Sequence, residues 1–272
     1  MRHIKLSTIL FLLSIALTTQ SSNVFQTDTI FNQRDYNNLK QGFWKKVYTN
    51  GNVAYQGYFK DDKPRGIFKR YHEGGPLKAL LNYSNDGIKS KVKFYYLNGK
   101  IAAEGSYVNN QKDSLWKYYS QTQKLVYEES YTKGKKDGLY KSYYEDGSVG
   151  ETINWEDGQM NGDLIQFYQG GSYKTSAKFV AGVQNGMVKA FYFDGKIRVD
   201  GNYKNGLKDG LWKMYDADGK LIGEIKYTNG IPENNNKLLE KESEMLQQMI
   251  SNAGKIQEPS IEDFFKKMGG GN

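Results

Sequence analysis

From Gly42 onward the chain returns every 24 residues to one pattern of glycine, aromatic, lysine and turn residues. The units begin at Gly42, Gly66, Ser90, Ser114, Gly138, Gly162, Gly186 and Gly210, with no insertion or deletion between them. A short fixed period constrains the fold strongly, because each unit can bury its apolar side only against the units before and after it. The eight units occupy residues 42–233, which leaves no room for a second catalytic domain in 272 residues. Positions within a unit are counted below from its first residue.

Each unit reads as a β-hairpin: an aromatic-rich run, a glycine turn, a second run ending in an aromatic, and another turn. The first turn falls at position ten, with Gly51, Gly75, Gly99, Gly147, Gly171, Gly195 and Gly219, and only Gln123 breaks the series. Asn or Asp often precedes the glycine, as a two-residue hairpin turn prefers. The second turn centres on position twenty-one, where Asp62, Asp86, Asn110, Gly134, Gly158, Gly182, Gly206 and Gly230 all tolerate a left-handed backbone.

A simple hairpin register pairs positions whose numbers sum to nineteen. It sets Lys93 against Glu104, Lys117 against Glu128, Lys189 against Asp200 and Lys213 against Glu224, four opposite-charge pairs that another register would scatter. It also sets each first-position Gly or Ser against an aromatic at position eighteen, from Phe59 to Tyr227, which would cover the bare glycine backbone. One face then holds Trp44, Trp116 and Trp212, the position-eighteen aromatics and the aliphatic row Val53, Leu77, Ile101, Leu125, Val149, Ile197 and Leu221, and is expected to be the core. The other holds the charge pairs and a position-six row. The expected fold is all-β: an elongated single-layer antiparallel sheet of about eight hairpin repeats with a short helical segment at its C-terminal end.

The flanks differ from the repeats. Residues 1–22 read as a secretory signal, with Arg2 and Lys5 before an apolar stretch from Leu6 to Leu17 that is shorter than the roughly 20 residues of a spanning helix. Export to the periplasm, cell envelope or medium is therefore expected, with no transmembrane helix in the mature chain. Residues 23–41 form a lead-in. In the tail, 234–272, the stretch 237–252 places Leu238, Leu239, Met245, Leu246, Met249 and Ile250 on one helical side. A shorter helix at 260–268 follows a Ser260 cap, with Ile261, Phe264, Phe265 and Met268 at helical spacing. Both read as an end cap or as a partner-binding motif.

The run from Gly210 to Gly230, with G-L-W-K-x-Y, D-G-K-L and E-x-x-Y-x-N-G in sequence, resembles the bacterial variant of the MORN repeat. Proteins of this kind are grouped as YwqK-like and labelled antitoxins of toxin–antitoxin systems. The resemblance implies an extended antiparallel sheet used for binding and supplies no catalytic residues. MORN repeats of eukaryotic proteins are associated with membrane phospholipids and scaffolding.

Catalytic chemistry finds few residues to use. There is no cysteine, and of two histidines His3 lies in the signal, so His72 alone remains, at a position where other units carry Tyr48, Tyr96, Tyr144, Tyr168 and Tyr192. One histidine makes neither a zinc site nor a catalytic triad. The acids Glu104, Glu128, Asp200 and Glu224 each have a lysine opposite, which reads as surface pairing and not as a glycosidase pair. No phosphate-binding glycine pattern or calcium repeat occurs, so the chain is expected to be no enzyme and to hold no cofactor or metal. The formal charge of +8, less two after signal removal, is mild, and export argues against nucleic acid.

The position-six row is the candidate binding ladder: Tyr71, Tyr95, Tyr119, Tyr143, Phe167, Phe191 and Tyr215, flanked by Lys45, Lys69, Lys93, Lys117 and Lys141. Rings with polar tips beside cations suit a protein segment, a glycan or an anionic surface. Another protein is the expected partner, and anionic lipid, envelope glycan or an antitoxin-type binding role is the alternative.

Overall fold

The computed structural model describes residues 31–233 together with Ser243, Glu244 and Gln247. Apart from these three residues, the signal at 1–22 and the helical segments expected at 237–252 and 260–268 lie outside the described residues. The described chain forms one open antiparallel sheet of twenty strands in which strands adjacent in sequence pair with one another. The eight repeats are eight hairpins. Their strands are Lys40–Val47 with Val53–Lys60, Lys63–Tyr71 with Leu77–Tyr83, Lys89–Tyr95 with Ile101–Val108, and Gln111–Tyr119 with Leu125–Thr132. The series continues with Gly138–Tyr143 and Val149–Glu156, Gln159–Phe167 and Tyr173–Val180, Val183–Phe191 and Ile197–Lys204, and Gly210–Tyr215 and Leu221–Thr228.

The nineteen-sum register holds through the first five positions of each hairpin: Lys93 lies opposite Glu104, Lys117 opposite Glu128, Lys189 opposite Asp200 and Lys213 opposite Glu224. It then slips by one residue, so that position six faces position twelve, as in Tyr119 with Leu125 and Phe167 with Tyr173. The cause is the first turn. Gly147 donates to the Tyr144 carbonyl and Tyr144 to the Ser148 carbonyl, which is a three-residue loop closed by a left-handed glycine at φ 86°. The expected two-residue turn needs positive φ at both central residues, and here only the glycine has it. That geometry belongs to the second turn, where Asp157 and Gly158 take φ 50° and 87°.

The slip moves the aliphatic row Val53, Leu77, Ile101, Leu125, Val149, Ile197 and Leu221 off the tryptophan face and beside the position-six ladder. The ring centroids of Phe167 and Tyr173 lie 5.4 Å apart on that side. A one-residue shift exchanges faces because side chains alternate with period two.

Gln123 adopts the turn conformation at φ 68° without being glycine. Its amide bonds both backbone groups of Ile101 in the neighbouring hairpin, at 2.7 Å to the carbonyl and 3.2 Å from the N–H. Left-handed geometry costs a non-glycine residue about 1–2 kcal/mol, and two partly exposed hydrogen bonds offset that. Gln123→Ala keeps the strain and loses the bonds, so a urea melt is expected to show a loss of about 1–2 kcal/mol. Gln123→Gly loses both the strain and the bonds and should stay within about 0.5 kcal/mol of wild type. Equal losses in the two variants would contradict this account.

The core lies on the tryptophan face. Trp116, Trp212, Val92 and Val199 are almost wholly buried there. Their cover comes from the position-eighteen aromatics, which meet the tryptophans edge-on at 5.0 Å for Tyr107 with Trp116 and 5.2 Å for Tyr203 with Trp212. Such pairs add about 0.5–1.5 kcal/mol beyond the area they bury. First-position glycines are not what these rings cover. Gly66 and Gly210 sit at positive φ with open space where a Cβ would point, so their requirement is conformational. The covered glycines are at position sixteen, where a Cβ on Gly57, Gly105 or Gly201 would fall 2.1–2.4 Å from the ring of Phe68, Trp116 or Trp212.

An open sheet must protect its edges. At the first edge Gln33–Arg34 pairs with Lys40 and Gln41, and beyond them the Asn32 side chain accepts from the Lys45 N–H and donates to its carbonyl, taking the place of a strand peptide. At the far edge Ile231–Pro232 pairs with Tyr227 and Thr228, and Lys226 closes an ion pair of 2.9 Å with Glu233.

Candidate binding face

The face opposite the core carries four rows, each set by alternation along the strands. In five units position two is apolar and exposed: Ile67 is 49% exposed, Leu115 44%, Leu139 39%, Met187 65% and Leu211 44%. Position four is the lysine row, in which Lys45 and Lys93 are exposed and Lys69, Lys117 and Lys141 are half-buried. Position fifteen supplies its cross-strand partners, and position six, now joined by position twelve, supplies the ladder.

All seven ladder residues, Tyr71, Tyr95, Tyr119, Tyr143, Phe167, Phe191 and Tyr215, are half-buried. Three of their hydroxyls are tied to the preceding hairpin. Tyr119 donates to Glu104 at 2.7 Å, Tyr143 donates to Glu128 at 2.8 Å, and Tyr71 accepts from the Gln56 amide at 3.1 Å. Burial first, and then the hydrogen bond to the carboxylate, pushes the phenols of Tyr119 and Tyr143 up to about 12. Each acid is therefore shared. Glu104 makes an ion pair of 3.5 Å with Lys93, whereas Glu128, register partner of both Lys117 and Lys141, spends its Oε1 on Tyr143. The ladder thus locks neighbouring hairpins together, and what this face turns toward solvent is the exposed lysines and the position-two row.

Position seven performs a second cross-repeat bond. The hydroxyls of Tyr48, Tyr144 and Tyr192 donate to the carbonyls of Tyr71, Phe167 and Tyr215 at 2.7–2.9 Å, each 23 residues ahead. His72 stands in this row and its Nε2 lies 3.4 Å from the Tyr95 carbonyl, so it donates where the tyrosines do. Burial holds its imidazole below the ordinary histidine range, in keeping with a neutral ring. The sequence carried a signal for this row, a tyrosine recurring beside each first turn, that strand patterning does not interpret.

Charge also enters the core face. Lys112, Lys136 and Lys208 lie over the rings of Trp116, Trp155 and Trp212 at 5.1, 4.9 and 4.9 Å. Glu129 is 1% exposed between Lys136 at 3.1 Å and Lys112 at 3.8 Å, and accepts from the Tyr131 hydroxyl at 2.6 Å. Nothing in the acid pair Glu128–Glu129 itself marked Glu129 as the buried one and Glu128 as half-buried.

A shallow groove of about 330 Å³ crosses the lysine-bearing face between the second and fourth repeats, lined among others by Leu80, Asn82, Lys91, Lys93, Leu115 and Lys117. Among the described residues no group of three or more His, Asp or Glu could hold a metal ion. No helix among them is long and apolar enough to cross a membrane.

A family model described as the MORN repeat variant matches residues 90–109, 136–157, 184–205 and 208–229, each match centred on one hairpin. No curated protein matches the chain. Among solved structures, the crystal structure of TarM is similar over 33% of this chain and 18% of that one, at 18% identity and a TM-score of 0.26. A mutant of S. aureus TarM in complex with Fondaparinux, alpha-GlcNAc-glycerol and UDP is similar over 35% and 19%, at 18% identity and a TM-score of 0.27. The chain thus spans less than a fifth of the length of either, and a likeness of this size carries no functional argument. The four family matches fall on the third, fifth, seventh and eighth hairpins of a series that shares one register, so these four units are similar to the MORN repeat variant.

Proposed function

We propose that this is an exported, non-enzymatic repeat protein whose lysine-bearing face binds another protein in the periplasm or cell envelope. The observation that supports it best is the exposed apolar row of Ile67, Leu115, Leu139, Met187 and Leu211 beside the lysines, on the face that the core does not need. Apolar side chains recurring on one face, interleaved with polar ones, are what a protein interface uses. Folding gains little from leaving these residues in water. His72, Glu104 and Glu128 are engaged with backbone, lysine or tyrosine, which supports a binding role over catalysis.

The test is capture from the organism's own envelope fraction with wild type and with a Leu115→Ser, Leu139→Ser, Leu211→Ser variant. The melting temperature is expected to stay nearly unchanged, because the three side chains are exposed. The captured partner is expected to be lost, as clustered interface anchors contribute about 2 kcal/mol or more each. Undiminished capture by the variant would remove the reading.

A further inference from the structure

We infer that the groove between the second and fourth repeats takes an acidic peptide segment of the partner protein. This rests on the reading of the face as a protein-binding surface and names the chemistry of what binds there.

The repeats serve as their own controls. At position two the other units carry Phe43, Ile67, Leu115, Leu139, Asp163, Met187 and Leu211, whereas the third carries Lys91. At position fifteen the second unit carries Leu80, where four later ones place Glu104, Glu128, Asp200 and Glu224 and two place Thr152 and Ser176. Lys93 therefore has Glu104 on one side and Leu80 on the other, and Lys69 lies between Gln56 and Leu80. In the last repeats the balance is different, with Asp200 between Lys189 and Lys213, and Lys213 also opposite Glu224.

Backbone geometry makes the same exception. Leu77–Tyr83 pairs with Lys89–Tyr95 in one unbroken register, while the junctions on either side shift. The unbroken register sets Lys91 directly opposite Asn82, two residues from Lys93 on the same side. Lys91, Lys93 and Lys117 then line the groove with Glu104 as the one carboxylate, and that carboxylate is already shared between Lys93 and Tyr119.

Lys91 and Lys93 are exposed and leave charge available for an incoming anion. Leu80 and Leu115 add apolar walls, and Asn82 and Ser106 add hydrogen-bonding groups at peptide scale. A lipid headgroup or a polyanionic glycan would match the lysines and leave the leucine walls unused. A peptide carrying acidic and aliphatic side chains uses both.

The experiment titrates the purified protein by fluorescence anisotropy with a short labelled peptide of alternating glutamate and leucine, and with its lysine–leucine counterpart. Saturable binding of the acidic peptide is expected. Lys91→Gln with Lys93→Gln should weaken it by at least about tenfold, roughly 1.4 kcal/mol, while Lys189→Gln with Lys213→Gln should change it by less than about twofold. Lys91→Glu with Lys93→Glu should turn the preference toward the lysine–leucine peptide, a result that simple loss of fold cannot imitate. The proposal is overturned if the acidic peptide does not saturate, if both glutamine pairs weaken it equally, or if Lys91 and Lys93 govern only binding to phosphatidylglycerol vesicles. Failure here with capture still lost in the leucine variant would remove the groove and leave the face, so the two readings fail separately.

Discussion

Glu129→Ala is expected to destabilise the protein by about 3–5 kcal/mol, the cost of removing one partner from a buried ionic cluster. The carboxylate is 1% exposed, and its two lysines have side chains only 18% and 22% exposed, so neither ammonium has ready access to bulk water. Without the carboxylate, like charges remain near one another in the core face, with Lys136 over the Trp155 ring and Lys112 beside the Tyr131 ring and the hydroxyls of Tyr118 and Tyr131. Glu129→Gln keeps the shape and an acceptor for Tyr131 and should fall between the two. Because the cluster is shielded from solvent, added salt should change the difference little. A urea melt showing a loss below about 1 kcal/mol for Glu129→Ala would mean that the lysines reach water after all.

Gly105→Ala is expected to cost about 3 kcal/mol, the upper end of the range for one added methyl in a packed core. Its new carbon would lie 2.3 Å from the Trp116 ring, which has no exposed surface to move into. That indole is pinned on two further sides, donating from Nε1 to the Ser106 carbonyl at 3.1 Å and meeting Tyr107 edge-on at 5.0 Å. Gly201→Ala, at 2.4 Å from Trp212, should behave alike. A Trp116→Ala background tests the cause: it should itself lose about 3–5 kcal/mol, yet reduce the added cost of Gly105→Ala to below about 1 kcal/mol. Additive losses would locate the problem in the glycine backbone and not in the ring.

The period, the hairpins and the register of positions one to five were legible because charge and glycine recur there in pairs that only one alignment satisfies. The slip at position six was not. Asn-Gly and Asp-Gly serve a two-residue turn and a three-residue loop equally well, and the choice appears only in which residues take positive φ. That single residue moved the aliphatic row from one face to the other. For the candidate site, the sequence placed the ladder and the lysines on a common face, as found. It missed that Tyr119 and Tyr143 are tied to Glu104 and Glu128, because a hydroxyl reaching into the preceding hairpin depends on sheet geometry that no within-strand pattern encodes. A readable signal did exist for the core glycines. Gly57, Gly105 and Gly201 occur where the next unit brings Phe68, Trp116 or Trp212, while Leu81, Ile153 and Ala177 face the smaller Val92, Leu164 and Val188. Comparing each unit with its successor, and not only with the consensus, reveals that matching of volumes.

The position-seven bonds, each spanning 23 residues to the next hairpin, bear on how such a gene can change length. Tyr144 finds its acceptor only if the loop, both strands and both turns between it and Phe167 keep their residue count. Loss of one codon between them would put Tyr144 out of register with Phe167 and turn the strand segment after the deletion against its neighbour. Duplicating or deleting a whole unit would instead present each tyrosine with an equivalent carbonyl. Tandem copying in steps of 24 therefore keeps these bonds where loss of a single codon breaks one, and the spacing of the units from Gly42 to Gly210 is unbroken.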